Sequence, residues 1–328
     1  MIRTIYQEAN PDDQLPEPDD FRQVILSYDE SPFVIFDRYL VRDDLGQLIA
    51  WMALAYTRPE REDYDNKKHA TYIQVYVKPS YRQKGLGKQL LKYIVNQAIP
   101  PEITVLESGT NLADGKAFAN HIGAKSALEE YYVRLKFVDV DWNLIENWIQ
   151  EGQQRNPDTH LIKVIGLFSD DEAELARFAE FESAVRRDMP SGEFSGMLQM
   201  ITPDQLRQEH ANETKRGMTS VYFISQESDG RFSGFTRINY LPSLPAEVSQ
   251  RVTGVLRQDR GRGLGKWLKA HMLRYIRDTY PDSDYIQTSY ANYNAPMKAI
   301  NERLGFKPYK EQIFYRLTVE DAKKYLGD

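Results

Sequence analysis

The segment Arg82-Gln83-Lys84-Gly85-Leu86-Gly87-Lys88 has a near copy at Arg260-Gly261-Arg262-Gly263-Leu264-Gly265-Lys266, and the two stand roughly half the chain apart. Similarity at that separation limits the chain to two related units, each built around the same local structure. A length of 328 residues agrees with two domains rather than one. The glycines remove side chains where the backbone must approach something closely. The amphipathic stretch after each copy then offers the unpaired N–H groups of a helix start to an anion.

The match extends in both directions. Upstream of the first copy, Thr71–Tyr81 alternates like a strand and ends at Pro79; upstream of the second, Val248–Asp259 does the same. Earlier still, Gly46–Tyr56 and Gly230–Tyr240 read as strands, entered from turns at Asp43–Gly46 and Glu227–Gly230. Downstream, helices are expected from about Gly85 to Ala98 and from about Gly263 to Tyr280, with Leu86, Leu90 and Ile94, or Leu264, Leu268 and Met272, on one face. Each half continues with a short strand and a second helix that ends near Gly123 or Gly305, a C-cap position. A last strand closes each half, giving the order β-α-α-β-β-β-α-β-α-β twice. The expected division is a first domain over 1–140, a linker helix and turn over 141–160, and a second domain over 161–328.

Three phosphate cradles compete for the Gly-rich loops. A Walker A loop needs a Gly where Arg82 and Arg260 stand, and Ser or Thr where Gln89 and Trp267 stand. A dinucleotide fingerprint needs a different glycine spacing and a parallel βαβ unit, whereas hairpins precede both loops. The third pattern, Gln/Arg-x-x-Gly-x-Gly/Ala, fits both copies. On these residues the chain resembles the GNAT acetyltransferase superfamily, and its tandem arrangement is similar to that of mycothiol synthase and related two-domain members. Asn292–Phe306 looks like the second cofactor motif of that family, an Asn opening a helix that ends Leu-Gly-Phe.

The resemblance implies two tandem α/β (α+β) acyltransferase domains, each with a mixed, mostly antiparallel, splayed sheet flanked by helices. It implies acetyl-CoA as co-substrate, with the pyrophosphate on the loop N–H groups of Arg260–Lys266 (Arg260, Gly261, Arg262, Gly263, Leu264, Gly265, Lys266) and on the matching Arg82–Lys88 (Arg82, Gln83, Lys84, Gly85, Leu86, Gly87, Lys88). Val255 and Val77 would hold the thioester carbonyl, and Asn292 would lie near the pantetheine. The expected reaction is transfer of an acetyl group to a primary amine of a small molecule by direct attack, in a ternary complex. A protein or peptide acceptor is the alternative, as is an acyl-CoA-binding protein without catalysis. Glu247 reads either as the general base or as a solvated loop residue. The usual proton-donating Tyr of the family falls at Asn301 in the second half and Ala119 in the first, so Tyr293 or water takes that role. Because only the second half has both cofactor motifs, it is the half expected to be catalytic.

Composition narrows the partners. A net charge of −6 argues against a general nucleic-acid binder. The cluster of Arg251, Arg257, Arg260 and Arg262 is better explained by a 3′-phosphorylated nucleotide. There are no cysteines, so no disulfide or thiolate chemistry is available, and five scattered histidines give no metal-ligand spacing. No signal peptide or membrane-spanning run is evident, so a cytoplasmic protein is expected. Ala173–Gly196 looks like the family's acceptor-covering helix and loop, with Arg186, Arg187, Asp188 and Glu193 as candidate contacts; a solvated helix end is the other reading. The oligomeric state is not encoded in any feature of the sequence.

Overall fold

The computed structural model describes residues 1–29, 31, 33–61, 63–189 and 200–327. The first half of the chain forms α1 (Ile2–Ala9), α2 (Pro18–Asp29), β1 (Val34–Arg42), β2 (Leu48–Thr57), α3 (Tyr64–Lys67), β3 (Ala70–Val77), α4 (Leu86–Tyr93), β4 (Val105–Thr110), α5 (Ala113–His121) and β5 (Lys125–Lys136). The second forms α6 (Trp142–Arg155), β6 (His160–Ile165), α7 (Glu172–Arg187), α8 (Pro203–Lys215), β7 (Thr219–Gln226), β8 (Phe232–Tyr240), β9 (Glu247–Val255), α9 (Leu264–Thr279), β10 (Tyr285–Ala291), α10 (Ala295–Leu304), β11 (Lys307–Thr318) and α11 (Val319–Leu326). The repeat is therefore physical, with one difference. In the first half the chain enters directly in helix, and the leading strand expected there is absent among the described residues.

Both hairpin turns form as their residues dictate. Gly46 and Gly230 adopt φ of 75° and 85°, and each donates its N–H to the residue three earlier, Asp43 or Glu227. The side chain of Asp43 also accepts from the N–H groups of Leu45 and Gln47, which fixes the first turn.

The compact units do not follow the half-chain boundary. Among the described residues, unit 1 takes 1–130 and 311–327, and unit 2 takes 131–189 and 200–310. Unit 1 has the strand order β1-β2-β3-β4-β11, with β11 antiparallel to β4 from Ile313 opposite Thr110 to Thr318 opposite Val105. Unit 2 has the order β5-β10-β9-β8-β7-β6. Each half thus gives the later part of its last strand, 131–136 of β5 or 311–318 of β11, to the unit built mainly by the other half, an exchange of equivalent elements. The segment 141–160 is not a linker either. Ile145 and Trp148 of α6 are buried in the unit 2 core with Leu268 and Met272 of α9. Gly152 lets the two helices touch, since a Cβ there would stand 2.3 Å from Trp267.

One feature of the sheets positions everything that follows. Strands β3 and β4 are parallel and pair only over Ala70–Tyr72 and Val105–Glu107. Strands β9 and β10 are parallel and pair only over Glu247–Ser249 and Tyr285–Gln287. Beyond those three residues each pair parts, leaving a V-shaped gap roofed by helices. The splayed sheets read from the sequence are present in both units.

The exchange makes a specific prediction. Leu317 on β11 is 5% exposed and packs in the unit 1 core beside Leu106 and Leu91. Leu317→Ala should cost about 2–4 kcal/mol and should lower hydrogen-exchange protection in β2 and β4 while β8 stays protected. Loss of protection first in β7–β9 would instead place β11 in the unit built by its own half.

Candidate active site

The two strand ends that face the gaps have the same backbone arrangement. Lys78 donates its N–H to Ile49 on β2, at 2.9 Å. Alternation along an antiparallel ladder then turns the N–H groups of Val77, Val75 and Ile73 away from β2 and into the gap. Leu256 donates in the same way to Ser233 on β8, at 2.9 Å, which turns Val255 toward the gap of unit 2.

The motif arginines hold these strand ends in place. Arg82 Nε donates to Val77 O at 3.0 Å, and Arg260 Nε donates to Val255 O at 3.1 Å. Each guanidinium also meets an acid at the C-terminal end of a helix: Arg82 Nη2 binds Glu8 of α1 at 2.7 Å, and Arg260 Nη2 binds Asp188, just past α7, at 3.2 Å. The hydrogen bond from Arg82 holds the Glu8 carboxyl below its usual range. The side chains of Arg82 and Arg260 thus brace the strand ends, while their backbone N–H groups remain part of the loops read as the phosphate cradle. Arg262 is likewise engaged internally, by Asn156 at 2.9 Å, Asp259 at 3.0 Å and Glu227 at 2.9 Å. Two of the four arginines in the cluster, Arg260 and Arg262, thus spend their side chains within the protein.

The loops nevertheless keep the geometry of a cradle. Gln83 and Gly85 have φ of 58° and 80°, and Gly261 and Gly263 have 82° and 84°. Neither α4 nor α9 has a side-chain cap, which leaves their first-turn N–H groups to an anion. Leu86 and Leu264 turn into the cores. Lys84 bonds back to Ser80 O at 2.8 Å, while Lys88 and Lys266 lie over the rings of Tyr325 and Trp148. Arg155, in the segment read as a linker, comes within 3.7 Å of the place a Cβ on Gly263 would occupy. No sequence spacing links Arg155 to the loop; the packing of α6 on α9 brings it there.

The two gaps differ in content. In unit 1 a cavity of about 80 Å³ lies between α4 and α5, lined by Ile73 and Val75 of β3, Leu106 and Ser108 of β4, Leu91, Ile94, Ala119 and Ile122 of the helical roof, and Tyr315 of β11. It begins at Gly87, beside the cradle. In unit 2 the corresponding positions are filled. Lys269 stands as far beyond Gly263 as Leu91 stands beyond Gly85. Equivalent turn bonds, Ala124 N to Ala119 O and Phe306 N to Asn301 O, both at 3.0 Å, match Asn301 to Ala119 and Phe306 to Ala124. Lys269 is fully buried and donates to Gln250 Oε1 and Asn301 Oδ1, each at 2.7 Å, with its Nζ over the ring of Phe306. Burial pushes its pKa down to about 7. Unit 2 keeps the cradle, and among its described residues Lys269, Asn301 and Phe306 fill the positions that Leu91, Ala119 and Ala124 hold in unit 1.

The remaining sequence candidates lie along β9, in the turn after β10 and at the end of α7. Glu247 and Val255 are the two ends of the nine-residue strand β9, about 26 Å apart at ~3.3 Å per residue. Glu247, read as the general base or as a solvated loop residue, accepts from Tyr285 OH at 3.1 Å at the closed end of the V. Asn292 lies in the turn before α10, and the residue that caps the helix is Asn294, which accepts from Met297 N–H at 3.3 Å. Tyr293 is half exposed in that turn. Arg186 bonds Glu182 at 2.9 Å; Glu193 lies outside the described residues. Among the described residues no cluster of His, Asp and Glu is fit to hold a metal ion, and no helix is long and apolar enough to cross a membrane.

Lys269 generates a pH prediction. An unfolded lysine titrates near 10.4, whereas folded Lys269 loses its proton near 7. Between those values the unfolded state binds the extra proton, so raising the pH stabilises unit 2. The wild-type urea midpoint, followed by the fluorescence of Trp142, Trp148 and Trp267, should rise from pH 7 to 9. Lys269→Met should flatten that rise; the same slope in both proteins would refute the assignment.

Comparison with known proteins agrees with this geometry. The model of the Acetyltransferase (GNAT) family matches residues 1–119. No curated protein matches the chain by sequence. Among solved structures, a tandem GNAT protein from the clavulanic acid biosynthesis pathway is 20% identical, with a TM-score of 0.73 over 97% of this chain and 93% of that one. A GCN5-related N-acetyltransferase from Sphaerobacter thermophilus is 16% identical, with a TM-score of 0.60 over 97% and 91%. A fungal GCN5-related glucosamine N-acetyltransferase region is 12% identical, with a TM-score of 0.63 over 96% of this chain and 36% of that multi-domain chain. The family's sequence pattern thus lies within residues 1–119, in the half that builds most of unit 1, and the fold of the whole chain is like that of the tandem GNAT proteins.

Proposed function

We propose that the chain moves an acyl group from a coenzyme A thioester, acetyl-CoA being the smallest such donor, to a primary amine of a small molecule, and that unit 1 does this chemistry. The open apolar gap between β3 and β4 carries the reading, because the arm of the thioester needs a channel that begins at a phosphate cradle. This reverses the expectation drawn from the motifs, which favoured the second half. In unit 1 the cradle of Gln83–Lys88 would receive the pyrophosphate. The N–H groups of Val75 and Val77, facing the gap, would stabilise the oxyanion of the tetrahedral intermediate. The net charge of −6 favours a cationic acceptor over an anionic one; a protein N-terminus or lysine is the runner-up.

The departing thiolate needs a proton. Ala119 lacks one to give, but Tyr315 lines the same cavity from β11. Burial raises the pKa of Tyr315, so its phenol stays protonated at neutral pH and available as a donor. Tyr315→Phe should lower kcat on the order of a hundredfold with little change in KM. An unchanged kcat would leave Tyr315 as packing and water as the donor.

Thermal-shift titration with acetyl-CoA, against ATP as control, tests the donor, since stabilisation grows with ligand only where the folded state binds it. Two variants, each checked for folding by circular dichroism, locate the chemistry. Gly85→Glu should abolish transfer, because a carboxylate in a left-handed position both strains the loop and repels the pyrophosphate. Gly263→Glu should spare most of it. The opposite pattern would move the active site to unit 2.

A further inference from the structure

We propose that the deep end of the unit 1 cavity binds the acyl chain of the donor, so that the chain prefers an apolar acyl group of about four carbons to acetyl. The inference rests on the placement of the thioester in unit 1. Strand β3 runs from the closed end of the V toward the cradle, so an arm anchored at Gly85–Gly87 points its acyl end back toward Ile73 and Leu106. There the wall is Ile73, Leu91, Ile94, Leu106 and Ile122, all aliphatic.

The second repeat of the same chain shows what a closed version looks like. Its positions equivalent to Leu91, Ala119 and Ala124 are Lys269, Asn301 and Phe306, and all three are buried. The space in unit 1 therefore comes from two alanines and a leucine, at positions where larger or polar side chains also fit this fold. An apolar cavity of about 150 Å³ takes a benzene ring, so the roughly 80 Å³ here suits about three or four carbons. Each methylene that leaves water for an apolar wall strengthens binding about fourfold.

The test is a binding ladder on the full chain, by calorimetry, with free CoA, acetyl-CoA, butyryl-CoA, hexanoyl-CoA and succinyl-CoA. Butyryl-CoA should bind at least about tenfold tighter than acetyl-CoA, from two added methylenes. Succinyl-CoA, of equal carbon count but charged, should bind no tighter than acetyl-CoA, because the lining holds no cationic side chain to offset desolvation of its carboxylate. Ala124→Phe, which copies Phe306, should erase the butyryl advantage; Ala119→Val serves the same purpose with a smaller change should Ala124→Phe not fold. A flat ladder, with CoA still bound, overturns the acyl-chain proposal and leaves the donor site standing. Equal binding of succinyl- and butyryl-CoA, or a butyryl advantage untouched by either variant, also overturns it. No response to CoA or any thioester overturns the donor site as well.

Discussion

The structure depends on two pairs of parallel strands that bond for three residues and then separate. A separated strand exposes N–H and C=O groups that the ladder no longer satisfies, and buried backbone groups of this kind need partners. The protein meets part of that demand with its own side chains. Arg82 and Arg260 reach back to the carbonyls of Val77 and Val255, and each is steadied by an acid at the end of a helix. What the arginines do not satisfy is the inward row of N–H groups on the same strands. The gap thus offers backbone donors to an extended guest with carbonyl acceptors, and the proposed donor site uses the loop beyond it for the anionic end of that guest.

The exchange of final strands follows from the same economy of backbone bonding. Strand β4 has a second edge, and β11 covers it with six paired residues. Helix α11 then lays Ala322 and Leu326 on the unit 1 core. The phenol of Tyr315 reaches the unit 1 cavity only because β11 is there. A side chain that lines one repeat's cavity is in this way encoded at the end of the other, far from any motif.

Much of this was legible in the residues. The two turns, the strands flanking them, the glycine loops and the helices after them all follow from local rules of backbone conformation, and they lie where the sequence places them. The strand exchange was not legible, because "EEYYVRLKFV" and "EQIFYRLTV" have the same alternation and either completes a sheet equally well. The arginines misled for a related reason. Charge in a sequence has no direction, and Arg262 spends its charge on Glu227 and Asp259, the former brought to it by the hairpin turn. Lys269 looks like the solvated face of an amphipathic helix; its comparison with Leu91 was the available signal that the two gaps differ inside.

The repeat also separates what a motif specifies from what a site requires. Arg-x-x-Gly-x-Gly fixes the path of the backbone, and both copies trace it. Unit 2 does so without strain, since Gly261 and Gly263 take the two left-handed positions. Unit 1 holds Gln83 at one of them, φ 58°, a conformation that costs a residue with a Cβ about 1–2 kcal/mol. Strain of this kind persists where the surrounding structure fixes the backbone, and it concentrates at ligand clamps. The copy that looks more complete as a motif is the relaxed one above a filled gap. The copy that departs from it keeps a strained loop beside the unit 1 cavity, so glycine count alone does not report what space lies behind a loop.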